Sequence, residues 1–161
     1  MSVSVQEADF DAGAEIAALS AGRDDVGAVA SFVGLVRADK AAQKVGAGET
    51  AIVQAMTLEH YPGMTEKALD AIVAEARGRW DIFGVRVIHR VGRLLPGDRI
   101  VLVAVASAHR GEAFAACEFI MDYLKTRAPF WKKEETPDGG HWVDARESDD
   151  HAAGRWEGAQ K

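Results

Sequence analysis

The sequence has a single cysteine, Cys117, in 161 residues. No internal disulfide can form, and the cysteine usage gives no sign of an oxidising compartment. No stretch reaches the roughly 18 apolar residues of a membrane-spanning helix. The opening residues, MSVSVQEADF, lack both a basic start and an apolar run, so no signal peptide is expected and the cytoplasm is the expected location. Positive charge is scarce as well: 19 Lys and Arg against 25 Asp and Glu leave a formal charge of −6. That sign argues against a surface made for nucleic acid or for anionic membranes. The five histidines show no HxH or HExxH spacing and no pairing with cysteine, so neither a metal nor another cofactor is expected. P-loop, GxGxxG and GxSxG motifs are also missing.

What is present reads as an ordinary globular chain, 48% hydrophobic and 27% charged, long enough for one domain with a real core. We expect a single domain over residues 1–147 and a polar tail over 148–161, with Trp156 as the tail's one large apolar residue. Residues 38–50, ADKAAQKVGAGET, read as a mobile loop, and Pro137 with Gly139-Gly140 marks a turn. Helical spacing is expected from Asp11 to Ala21, from a Thr65 cap to about Trp80, and from Ala108 to Lys125. In the last of these, Phe114, Cys117, Met121 and Leu124 form one apolar stripe, and Pro129 ends it. Strands are expected at 27–36, 51–60 and 85–91, at the almost wholly apolar 99–106, and around Trp142-Val143. The order of elements gives an α/β fold of two layers with mixed strand pairing.

The candidate chemistry centres on Lys125-Thr-Arg-Ala-Pro-Phe-Trp-Lys-Lys133. This segment holds Lys125, Arg127, Lys132 and Lys133 and no acid, a local +4 in an acidic chain. Cations at a helix C-terminus complement the helix dipole, which accounts for Lys125 and Arg127 but not for Lys132 and Lys133 beyond the proline. The aromatic pair Phe130-Trp131 is expected to anchor the segment and leave the lysines lining a pocket. There a lysine can hold a phosphate or, if desolvated, act as base or nucleophile. A second group, Ser107-Ala-His-Arg110, opens a helix after the buried strand. Its free N–H groups, Arg110 and His109 suit an anion. Arg110 and Lys125 stand fifteen residues apart on one helix, about 22 Å at 1.5 Å per residue. If both act on one small molecule, a dimer must bring His109 and Arg110 of one copy to Lys125 of the other. Arg37, at a strand end beside the loop, is a candidate clamp. Cys117 reads as a small core residue, and His89 as support for structure. Two other readings fit the same patch: a non-catalytic module binding an anion or a partner's acidic tail, and a different transferase with an activated lysine.

Several stretches together resemble the large, catalytic subunit of molybdopterin synthase, the MoaE family. They are Phe32-Val-Gly-Leu-Val-Arg37, Leu58-Glu-His-Tyr-Pro-Gly-Met-Thr-Glu66, Val87-Ile-His-Arg-Val-Gly92, Ser107-Ala-His-Arg110, Met121 through Glu134, and Trp142 through Ser148. They span nearly the whole chain, and the PFWKKE and SAHR pieces are specific in combination. The resemblance implies an α/β hammerhead-like fold with a small antiparallel β subdomain. It implies a sulfurtransferase that converts cyclic pyranopterin monophosphate (precursor Z) into molybdopterin. The sulfur would come from the C-terminal Gly-Gly thiocarboxylate of a small ubiquitin-like carrier, within a heterotetramer built on a homodimer of the large subunit. By position it implies Lys125 and Lys132 as catalytic residues. Leu35, Val36, Arg37, His109, Arg110, Lys133, Glu134 and Arg146 match substrate-contacting positions.

Overall fold

The computed structural model describes residues 2–38, 44–45, 49–50, 52–143 and 147–158. Arg146 and most of the 38–50 stretch lie outside them. The larger of the sheets has the order β1 (Val3–Gln6), β6 (Ile82–Arg90), β8 (Arg99–Ser107), β2 (Ala28–Leu35). β1 runs parallel to β6, and the other pairings are antiparallel. β8 is central, and its residues 101–107 are all buried. Side chains alternate across a strand, so one apolar run serves two faces. Val101, Val103 and Val105 join the core made with α2 (Met64–Arg79) and α3 (Arg110–Arg127). Leu102 and Ala104 point the other way, toward Phe10 and toward Ile16 and Leu19 of α1 (Ala12–Ser20). Asp11 starts α1 by accepting a 3.0 Å bond from the Ala14 N–H.

The smaller sheet is antiparallel throughout, in the order β10 (Gly139–Val143), β9 (Phe130–Thr136), β5 (Ala55–His60), β7 (Gly92–Leu94). Two-residue strands β3 (Lys44–Val45) and β4 (Glu49–Thr50) pair with each other. Among the described residues no helix is long and apolar enough to cross a membrane.

Four expectations change. Thr65 does not cap α2. Gly63 does, at φ 85°, and Thr65 is fully buried in the first turn. Its hydroxyl accepts from the Tyr61 N–H and donates to the Pro129 carbonyl, 2.9 Å each, so it ties α2 to the end of α3. The 51–60 strand starts only at Ala55, and Ile52 is exposed. On α3, Phe114 is 64% exposed, while Phe119, Ile120 and Tyr123 are almost wholly buried. The sheet, α2 and α4 (Glu147–Gly154) surround most of this helix, so its buried arc is wider than one stripe and turned away from Phe114. Finally, residues 147–158 are not merely polar chain. The Trp156 ring packs edge-on against Trp80 and Phe119 at 5.5 and 5.6 Å. Its Nε1 donates to Asp122 at 2.6 Å, and Arg79 donates to its carbonyl at 2.9 Å. One large ring outweighs the polar residues around it, because burying it removes far more apolar surface from water than any neighbour does.

Candidate functional site

A cavity of about 470 Å³ opens where the two sheets meet the C-terminal end of α3. β9 builds one wall. The segment 130–133, expected to be anchored by its aromatic pair, is strand in the fold, paired residue by residue with β5. Alternation along that strand sorts the side chains. Phe130, Lys132 and Glu134 line the cavity, beside Met56 and Leu58 of β5. Trp131 and Lys133 belong to the other face. Trp131 is 48% exposed and does not anchor the segment. The Lys133 ammonium lies 5.8 Å from the centre of the Trp142 ring, its cross-strand neighbour. A Cβ on Gly140 would come within 2.5 Å of the Lys133 Cε, so a larger residue there would push that flexible side chain aside.

The other walls bring the remaining groups. Helix α3 ends with Leu124, Lys125 and Ala128 at the cavity. The end of β2 supplies Leu35, Val36 and Arg37. This end is held by the turn at Leu95–Asp98: Val36 donates to the Asp98 carbonyl at 2.9 Å and accepts from Gly97 at 2.8 Å. Gly97 sits at φ 90°, a conformation that favours glycine. The cavity therefore joins Leu35, Val36, Arg37, Lys125, Lys132 and Glu134, six of the residues named from sequence. Three cations face two carboxylates, Glu134 and Asp149 of α4, so the local excess is positive in an acidic protein.

The rest of the basic cluster is spent elsewhere. Arg127 pairs with Glu75 at 2.8 Å and lies 3.7 Å from the Tyr123 ring centre. His109 and Arg110 are exposed at the far end of α3, where His109 occupies the N-cap position. A cavity of this volume is on the order of 10 Å across, so one copy of the chain does not bring Arg110 to Lys125. The approach to that end is fixed by close backbone packing. Gly27 donates to the Ser107 carbonyl at 3.0 Å, and a Cβ on it would fall 2.1 Å from the Ala108 carbonyl oxygen. Among the described residues no three of His, Cys, Asp and Glu come together as a metal site requires.

His89 and Asp149 are lining residues that sequence reading did not place here. The signal for His89 was available. Val85 and Val87 precede it at alternate positions of one strand and face the core, so a histidine next in that series points inward too. Its ring stacks on Phe130 at 3.8 Å between centres, and Nδ1 lies 2.8 Å from the Arg90 carbonyl. Burial pushes its pKa down to about 4, with Lys125 and His60 adding to the effect against the opposing pull of that carbonyl. Cys117 is the core residue its position suggested. It is 6% exposed, its thiol lies 3.6 Å from the Val103 carbonyl, and burial pushes its pKa up to about 11.

Comparison with known proteins gives a consistent result. The family described as MoaE protein matches residues 5–127. The chain is 64% identical to a molybdopterin synthase catalytic subunit of Ralstonia nicotianae, over 96% of this chain and 83% of that one. It is 60% identical to the subunit of the same name from Escherichia coli, over 83% of this chain and 84% of that one. Among solved structures it resembles a molybdopterin biosynthesis MoaE protein of Burkholderia ambifaria, with TM-score 0.78 and 58% identity over 96% and 97% of the two chains. A molybdopterin synthase structure from Staphylococcus aureus matches with TM-score 0.75 and 29% identity, covering 87% and 95%.

Proposed function

The chain belongs to the MoaE family, and from that premise we propose that it is the catalytic subunit of a molybdopterin synthase, a sulfurtransferase of molybdenum cofactor biosynthesis. Its substrate is cyclic pyranopterin monophosphate, to which two sulfurs are added to form the dithiolene. The observation that carries this reading is the cavity itself. It gathers Arg37, Lys125 and Lys132 in a protein of net charge −6, as an anionic phosphate ester requires. The one thiol in the chain cannot relay sulfur: thiolate is the reactive form, and Cys117 is buried with its pKa raised. Sulfur therefore comes from outside, and the C-terminal thiocarboxylate of a small ubiquitin-like carrier fits that need. The proposed place of action is the cytoplasm.

The roles follow from position. Lys125 acts at the incoming thiocarboxylate as acid, base or transient nucleophile. Lys132, on the facing wall, stabilises developing charge or moves protons. Arg37 holds substrate phosphate or pterin, with Leu35, Val36 and Glu134 shaping the same wall. His109 and Arg110 complete the site from a second copy of the chain. In favour of that dimer, β2 is an edge strand of the described sheet with Phe32 and Leu35 exposed, and Phe114 is exposed on α3. Lys133 contributes by fixing β9 through Trp142 rather than by touching substrate, and Arg146 is carried as a pocket residue on resemblance alone. A single-turnover reaction with precursor and thiocarboxylated carrier tests the assignment. Wild-type chain forms the dithiolene and Lys125→Ala does not; a variant as fast as wild type removes Lys125 from the chemistry.

A further inference from the structure

His89 is the one uncharged side chain with a polar nitrogen or oxygen among the described residues that line the cavity. As cations, Arg37, Lys125 and Lys132 only donate hydrogen bonds, and Glu134 and Asp149 are carboxylates. A carbonyl can only accept, so the 2.8 Å contact from Nδ1 to the Arg90 carbonyl places the ring proton on Nδ1. Nε2 is then an acceptor. The stack on Phe130 and the bond to Arg90 fix the ring from its face and its edge. Met56, Leu58, Ile100 and Leu124 line the same cavity as apolar walls, suited to a flat ring rather than to a phosphate.

We infer that His89 is a ligand-orienting residue, whose Nε2 accepts a hydrogen bond from a ring N–H of a fused nitrogen heterocycle while the cavity's cations hold that ligand's phosphate. The inference rests on the function proposed above and adds a specificity element to it. With its pKa near 4, the imidazole stays neutral at pH 7 and does not compete for the phosphate. A buried acceptor also rejects a ring without the matching donor, because it would be left unpaired.

The test is titration calorimetry of the full chain with cyclic pyranopterin monophosphate and, separately, with inorganic phosphate. His89→Phe keeps a ring against Phe130 and removes the acceptor; His89→Gln keeps an acceptor. We expect His89→Phe to bind the precursor about ten- to a hundredfold more weakly, with phosphate binding unchanged and His89→Gln recovering most of the loss. Precursor binding equal to wild type, or an equal loss for both ligands, overturns the inference; the latter means a merely structural role. A measurement on the wild type needs no variant: the ¹⁵N resonance of the His89 Nε2 moves upfield when it accepts a hydrogen bond. No movement at saturating precursor contradicts the inference. If wild type itself does not bind the precursor, the proposed function fails and this inference falls with it.

Discussion

At its C-terminal end α3 delivers Lys125 to a walled cavity; at its N-terminal end it leaves His109 and Arg110 on the surface. Both ends carry cations, and among the described residues only the C-terminal end has a second sheet beside it. The antiparallel sheet of β5, β7, β9 and β10 converts a helix terminus into a site, by setting Lys132 across from Lys125 and closing the apolar wall around them. The other end offers its N-terminal amides and the exposed His109 and Arg110 side chains to a ligand. In the proposed function such a group is half a site, completed by a second copy of the chain.

The largest effect expected from this contrast is on chemistry at the cavity end. Lys125→Ala should slow single-turnover dithiolene formation by about a thousandfold or more, with the far-ultraviolet circular dichroism unchanged. A residual rate within tenfold of wild type would break the distinction between the two ends.

A smaller effect concerns stability. In the unfolded chain His89 takes up a proton as pH falls through about 6.5; in the fold it does so only near 4. Its neutral burial thus contributes stability that is complete above about pH 6.5 and is lost as pH falls, about 3 kcal/mol by pH 4. Urea unfolding at pH 7 and pH 4.5 should show a clear loss in wild type and a shallower one in His89→Phe. Equal slopes for the two proteins would mean that the cavity wall does not hold His89 neutral.

The smallest effect is at Cys117, midway along the same helix. Cys117→Ala should leave the sulfur-transfer rate unchanged and cost about 1 kcal/mol of stability, read from the urea midpoint. Loss of transfer with the fold intact would make this thiol part of the chemistry after all.

Much of this arrangement was legible in the sequence. The buried strand at 99–106 announced itself by β-branched residues, and the two ends of α3 by their spacing along one helix. The cationic segment around Pro129 stood out because its sign opposes that of the chain. What could not be read was the partner of each residue. Phe130 through Glu134 carry no assignable strand pattern beside the proline, and pairing with β5 makes them a strand that divides Lys132 from Lys133. Arg127 looked equivalent to Lys125 until Glu75 and the Tyr123 ring claimed it. Trp156 sits in polar company, and its partial burial depends on Phe119 and on Trp80, the latter seventy-six residues away in the chain. His89 had a detectable alternation, but a lone histidine in a strand is more often structural support. Its place on the cavity wall depends on the Phe130 stack, a contact between distant strands.

The central claim, that α3 carries halves of two sites, is tested most directly by mixing Arg110→Ala chain with Lys125→Ala chain. Each variant alone should be inactive or severely impaired. In a randomly exchanged dimer population half the dimers are mixed, and each mixed dimer regains one intact pocket, so about a quarter of wild-type activity should return. No recovery, with subunit exchange verified by native mass spectrometry, would contradict the claim.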